Sequence, residues 1–79
     1  MASIVLTAGV WKGFPIAASA GNVTVTNNIS LGPIYVRFLV GGVIVNEWKL
    51  QPSEQKVVFF PAGATAIAGC GFDQTMTVV

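Results

Sequence analysis

The chain has no histidine and one cysteine, and its charge is confined to four basic and three acidic side chains among 79 residues. Each shortage excludes something. Without histidine, the commonest general acid–base group and metal ligand is missing. Cys70 alone cannot close an intrachain disulfide, and with three scattered acids it makes no metal cage. Lys12, Arg37, Lys49 and Lys56 form no run, so the electrostatic footprint of a nucleic-acid or anionic-membrane binder is absent. Arg37, Glu47, Lys49 and Lys56 also interrupt the apolar stretches. No window of ~18 or more uncharged apolar residues looks like a spanning helix.

What the chain has instead is apolar surface. It is 53% hydrophobic and 9% charged, where soluble domains average about 25% charged. A domain of this size rarely draws more than ~3–5 kcal/mol from one core. Disulfides and metals being excluded, oligomerisation is the expected supplement, since obligate interfaces resemble a core cut in half.

The pattern is β throughout. "NVTVTNN" (22–28), "PIYVRFLV" (33–40) and "VIVNEWKL" (43–50) alternate with period two. Gly41-Gly42 between the last two reads as a tight hairpin. "QPSEQ" (51–55) is a polar turn. "KVVFF" (56–60), "TAIAG" (65–69) and "QTMTVV" (74–79) follow as strands, and "SIVLTA" (3–8) precedes them. The expectation is one all-β domain, a small antiparallel β-sandwich or barrel of about seven short strands. Residues 21–79 form its body and residues 1–20 an N-terminal strand and arm. Within that stretch, residues 10–19 carry Trp11 and Phe14 beside Gly13 and Pro15 and read as a strand, a loop or an arm; part of them is expected to contact a neighbouring molecule. Ala18-Ser19-Ala20 resembles a signal-peptidase site, but no positive charge precedes the apolar part, and Lys12, Gly13 and Pro15 break it.

On "KVVFF", Val58 and Phe60 share a side with Lys56, and Val57 and Phe59 lie opposite. The expectation is that Val57 and Phe59 enter the core while Val58 and Phe60 meet a neighbouring subunit. Ala64, Ala66 and Ala68 form a row of small side chains. Either it faces Phe59 and Phe38 in the core, large against small, or it meets a strand of another subunit.

Candidate chemistry is sparse. Glu47, Glu54, Asp73 and Tyr35 show no pairing at a recognisable catalytic spacing, so no enzyme is expected and no catalytic, cofactor or metal site is assigned. Cys70, between two glycines, has no cationic neighbour to lower its pKa and reads as a small buried hydrophobe. "NVT" (22–24) and "NIS" (28–30) match the glycosylation pattern but read as strand and turn. The aromatics Trp11, Phe14, Tyr35, Trp48 and Phe72 fit subunit packing, or stacking on sugar rings. Trp11, Phe14, Trp48, Val58 and Phe60 are the expected interface.

The cadence from "AGNVTVTNN" through "IYVRF", "LQPSEQKVVF" and "PAGATAIA" to "TMTVV" resembles the small all-β virion domains of tailed bacteriophages, over residues 21–79. "LQPSEQ" is similar to their L-x-P-G-E turn, with Ser53 where glycine is common. The resemblance implies a capsid decoration (cement) protein on the virion surface, made in the host cytoplasm. Its partners would be the major capsid protein lattice and copies of itself, a homotrimer being favoured. A chain of 79 residues suits decoration better than a head or tail fibre module. A small carbohydrate-binding β domain is the alternative of a different class.

Overall fold

In the computed structural model, residues 2–28 and 32–79 are described. Among them are eight strands and no helix. The strands are β1 (Ala2–Leu6), β2 (Lys12–Phe14), β3 (Gly21–Asn27), β4 (Ile34–Val40), β5 (Val43–Leu50), β6 (Gln55–Phe60), β7 (Thr65–Cys70) and β8 (Gln74–Val78). They form two antiparallel four-stranded sheets, β1-β8-β3-β6 and β2-β7-β4-β5, which face each other as a small β-sandwich. Only β4 and β5, consecutive in the chain, are neighbours within one sheet. Gly41 and Gly42, at φ 59° and 81°, give that hairpin the two left-handed residues a type I′ turn requires.

Alternation decides which side chains enter. Ile34, Val36 and Phe38 of β4 and Val25 of β3 are fully buried, as are Val58 of β6 and Met76 of β8. The row Ala64, Ala66, Ala68 faces inward with Cys70, so the row lies in the core as one reading had it, with Phe60 and not Phe59 as the second large residue beside Phe38. The bulky partners are Phe38 and Phe60, whose ring centroids lie 5.5 Å apart.

Phe60 and Val58 are therefore core residues of the chain itself, at 5% and 0% exposure, while Phe59 and Val57 are exposed at 63% and 53%. This reverses the expected faces of β6. Lys56 misleads: it sits on the inward side, but at the sheet end, where its stem follows the rim and its amine reaches Glu54 at 3.6 Å. Phe14, also expected at an interface, is buried in the core.

The N-terminal segment takes the strand form of the expectation and is tied into both sheets. β1 pairs with β8 from Ala2 to Leu6, and Leu6 is buried. Lys12–Phe14 pair with β7, Ile16 packs on the core, and the Ala18 carbonyl accepts a bond from Gly63 N–H. Deletion of this stretch would expose the inner faces of both sheets.

One buried polar cluster ties the end of β3 to Gly32, just before β4. Asn27 donates from Nδ2 to the carbonyls of Gly32 (3.0 Å) and Leu50 (3.3 Å), and Gln74 Nε2 donates to the same Gly32 carbonyl at 3.4 Å. These bonds satisfy amide N–H groups placed between the sheets, while Gln74 Oε1 is buried without a hydrogen-bond partner among the described residues.

Two predictions follow from this packing. Phe60→Ala should cost about 3–5 kcal/mol of stability, and Phe59→Ala should stay within about 0.5 kcal/mol, both read from urea melts. Ser53 is held at φ 66°, a conformation that costs an L-residue roughly 1–2 kcal/mol and glycine almost nothing. Ser53→Gly should therefore raise stability by about 1 kcal/mol in the same assay.

Candidate interaction surfaces

The acids are all occupied in holding the fold. Glu47 pairs with Arg37 across the β4–β5 ladder. Asp73 Oδ1 accepts from Ala8 N–H at 2.8 Å, tying the turn after β7 to the segment after β1. Glu54 Oε1 accepts from Gln51 N–H at 2.8 Å, and that bond, helped by Lys56, lowers its pKa. Among the described residues no group of His, Cys, Asp or Glu is placed to hold a metal. Cys70 ends β7 with its thiol donating to the Phe72 carbonyl at 2.9 Å. Burial pushes its pKa up, which keeps it a thiol and blunts its reactivity.

The two outer faces differ in chemistry. On the β2-β7-β4-β5 sheet, Arg37 and Glu47 lie opposite each other, as do Tyr35 and Lys49. The Arg37 guanidinium sits 4.2 Å from the Trp11 ring centroid, a cation–π contact. That indole also covers Gly69, where a Cβ would lie 2.9 Å from the ring, so no larger residue is accommodated at Gly69 while Trp11 stays in place. Beside it, Gly9, Val10, Trp11, Tyr35 and Gly69–Gly71 line an open cleft of about 250 Å³.

The outer face of the β1-β8-β3-β6 sheet carries no charged residue. Alternation and register place Ser3 and Val5 of β1 there, with Thr75 and Thr77 of β8, Asn22, Thr24 and Thr26 of β3, and Gln55, Val57 and Phe59 of β6. Asn28 Nδ2 donates to Thr77 Oγ1 at 2.6 Å. Three large apolar groups stand exposed on this face: Val5 at 62%, Val57 at 53% and Phe59 at 63%. Val79, 70% exposed, lies beyond β8, where it exchanges both backbone bonds with Thr24. The charges nearest the face, Glu54, Lys56 and Asp73, lie in turns or point inward at the rim.

A third apolar surface is the tip of the β4–β5 hairpin. Val40, Val43, Ile44 and Val45 are exposed there around the two glycines, and the β4–β5 register shifts at Phe38/Leu39.

Of the five residues expected at an interface, only Trp11 is exposed; Trp48 is half-buried, edge-on to Phe38 at 5.4 Å. The structure does not bring the five together on one surface. Sequence reasoning missed Val5, Val57, Phe59 and the hairpin tip. The available signal was the run of threonines and asparagines on β3 and β8, which marks which side of that sheet is wet. The second glycosylation triplet, 28–30, extends outside the described residues.

Glu54 supplies a pH prediction. Its pKa is lower folded than unfolded, so its stabilisation is present above the unfolded value and is lost as pH falls through the folded value. Glu54→Gln should melt below wild type at neutral pH and converge with it once acid protonates the carboxylate, as thermal melts at the two pH values will show. In comparisons with known proteins, no family model, no curated protein and no solved structure matches this chain.

Proposed function

We propose that the chain is a non-enzymatic structural protein of a virus particle, binding the outer capsid as a decoration protein. The observation that carries this reading is the charge-free outer face of the β1-β8-β3-β6 sheet, studded by Val5, Val57 and Phe59. Interface cores are depleted in charge and enriched in aromatics. An exposed sheet face without one charged group fits a broad protein partner better than a small ligand. The phage-like cadence of residues 21–79 supports the same reading and suggests the capsid lattice as that partner. Carbohydrate binding is less well supported. Arg37 already lies over the Trp11 ring, and the Trp48 ring packs on Phe38, so neither indole is a clear platform.

The test is re-addition of purified protein to particles that lack it. Binding should saturate at a copy number matched to the lattice. Phe59→Lys or Val57→Lys should weaken it about tenfold or more, because burial of one such side chain contributes about 1.5–3 kcal/mol. Lys12→Glu, on an edge of the other sheet, should leave it unchanged. Saturation at a few copies places the protein at a tail or vertex, and no binding at all rejects the reading.

A further inference from the structure

Val57 and Phe59 stand on a sheet edge, and the hydrogen bonding of that edge specifies what would cover them. β6 has a neighbour on one side only, β3. Asn27 N–H donates to the Glu54 carbonyl at 2.9 Å, and these two residues continue the register that sets Thr26 opposite Gln55. Bonded and non-bonded pairs alternate along an antiparallel ladder. Lys56, Val58 and Phe60 therefore turn their backbone groups toward β3, and Gln55, Val57 and Phe59 turn theirs away. The other side of β3 agrees, because Thr24 exchanges both of its bonds with Val79 beyond β8. Among the described residues no backbone bond reaches Gln55, Val57 or Phe59 from the open side.

Sheet edges are ordinarily blunted by charge, proline, a bulge or shortness. β2 has three residues and is followed by Pro15. β5 carries Glu47 and Lys49 and a register shift in its pairing with β4. β1, by the same alternation, turns only Ser3 and Val5 to its open side. β6 has six residues, no proline and an unbroken register with β3. Its one charge, Lys56, lies at the rim with its amine 3.6 Å from Glu54. Val57 and Phe59 thus combine an exposed apolar side chain with free backbone groups. A row of free N–H and C=O groups at the strand repeat is complementary to another extended backbone. A helix or a small ligand cannot match that row.

The β6 of a second copy fits poorly. Two-fold antiparallel pairing centred on Lys56 sets that cation against its own copy. Centred on Val57, it sets Phe59 opposite the Gln55 amide. Centred on Val58, it sets Pro61, which has no N–H, opposite Gln55. A strand of another protein meets none of these conflicts. We infer that β6 accepts, by strand addition, an extended charge-free segment of a partner protein, with apolar side chains opposite Val57 and Phe59. The owner of that segment is the particle's coat protein, and in this the inference rests on the function proposed above; the mode of contact comes from β6 alone.

The experiment is amide hydrogen exchange, residue by residue, on the full chain, free and bound to particles that lack it. In the free chain Lys56, Val58 and Phe60 should exchange slowly and Gln55, Val57 and Phe59 fast. On the particle the latter three should slow about tenfold or more, whereas docking by the sheet face would leave the alternation in place. Val57→Pro removes an outward N–H and no bond to β3, a placement that edge strands tolerate. It should keep the far-UV β spectrum and lose about tenfold or more in particle binding, and Val57→Thr, which keeps the donor, should lose less. If Val57→Pro does not fold, exchange in the wild-type chain decides alone. Particle binding that leaves the three amides fast overturns the inference and leaves the capsid reading standing. Protection of the same amides in the free chain that rises with its concentration means that β6 pairs with itself, and also overturns it. A chain that does not bind particles rejects the capsid reading. The edge is then decided by an acetylated, amidated peptide of alternating Val and Thr at millimolar concentration: protection of the three amides upholds β6 as a strand acceptor, and none overturns it.

Discussion

Phe38 holds the two sheets together. Its ring lies against Phe60 of the opposite sheet at 5.5 Å and against Trp48 of its own sheet at 5.4 Å, the latter nearly perpendicular. Ala66, its register partner on β7, and the adjacent Ala64 and Ala68 leave the volume those rings need. In so thin a molecule one layer of side chains must serve both sheets, so large residues on some strands require small ones on others. The bulky and slender halves of residues 57–71 are two sides of that requirement. β6 supplies Val58 and Phe60, β7 supplies the alanines, and the turn at residues 61–64 carries the chain from one sheet to the other.

The strands were legible because alternation is a local property. Residues 22–28, 33–40 and 43–50 each announce their period, and the double glycine announces the hairpin. The side of β6 that faces inward was not legible, because both sides are apolar and the one charge, Lys56, lies on the buried side. Its long stem lets it sit at an inward position and still reach water. β2 was left open between strand, loop and arm for another reason. Three residues ending at a proline carry no periodic signal, and their strand character comes wholly from pairing with β7. The exposed surfaces were hidden with them: to name Phe59 as exposed one must first know that Phe60 is not.

The distribution of charge is as informative as its scarcity. Arg37, Glu47, Lys49 and Lys12 belong to the β2-β7-β4-β5 sheet, while the outer face of its partner is built from Thr, Asn, Gln, Ser, Val and Phe. Two sheets of one 79-residue chain thus present water with different chemistries. A side chain such as Phe59 gains nothing from exposure, and a face without charge does little to resist association. That asymmetry is a property of the whole surface, legible only once the register of every strand is known.

The strand order β1-β8-β3-β6 has a consequence for how the chain reaches this state. β8 lies inside its sheet, between β1 and β3, yet it is synthesised after all seven of the others. At ~5–20 residues per second, a ribosome that has finished Asn27 needs about 2–10 s to reach Gln74. During that interval β1 and β3 have no partner between them, and their threonine- and valine-rich edges are open to any other extended chain. Most contacts in the fold join distant residues, so collapse cannot be completed locally in the meantime. Closure of the β1-β8-β3-β6 sheet therefore waits for the last strand to be made.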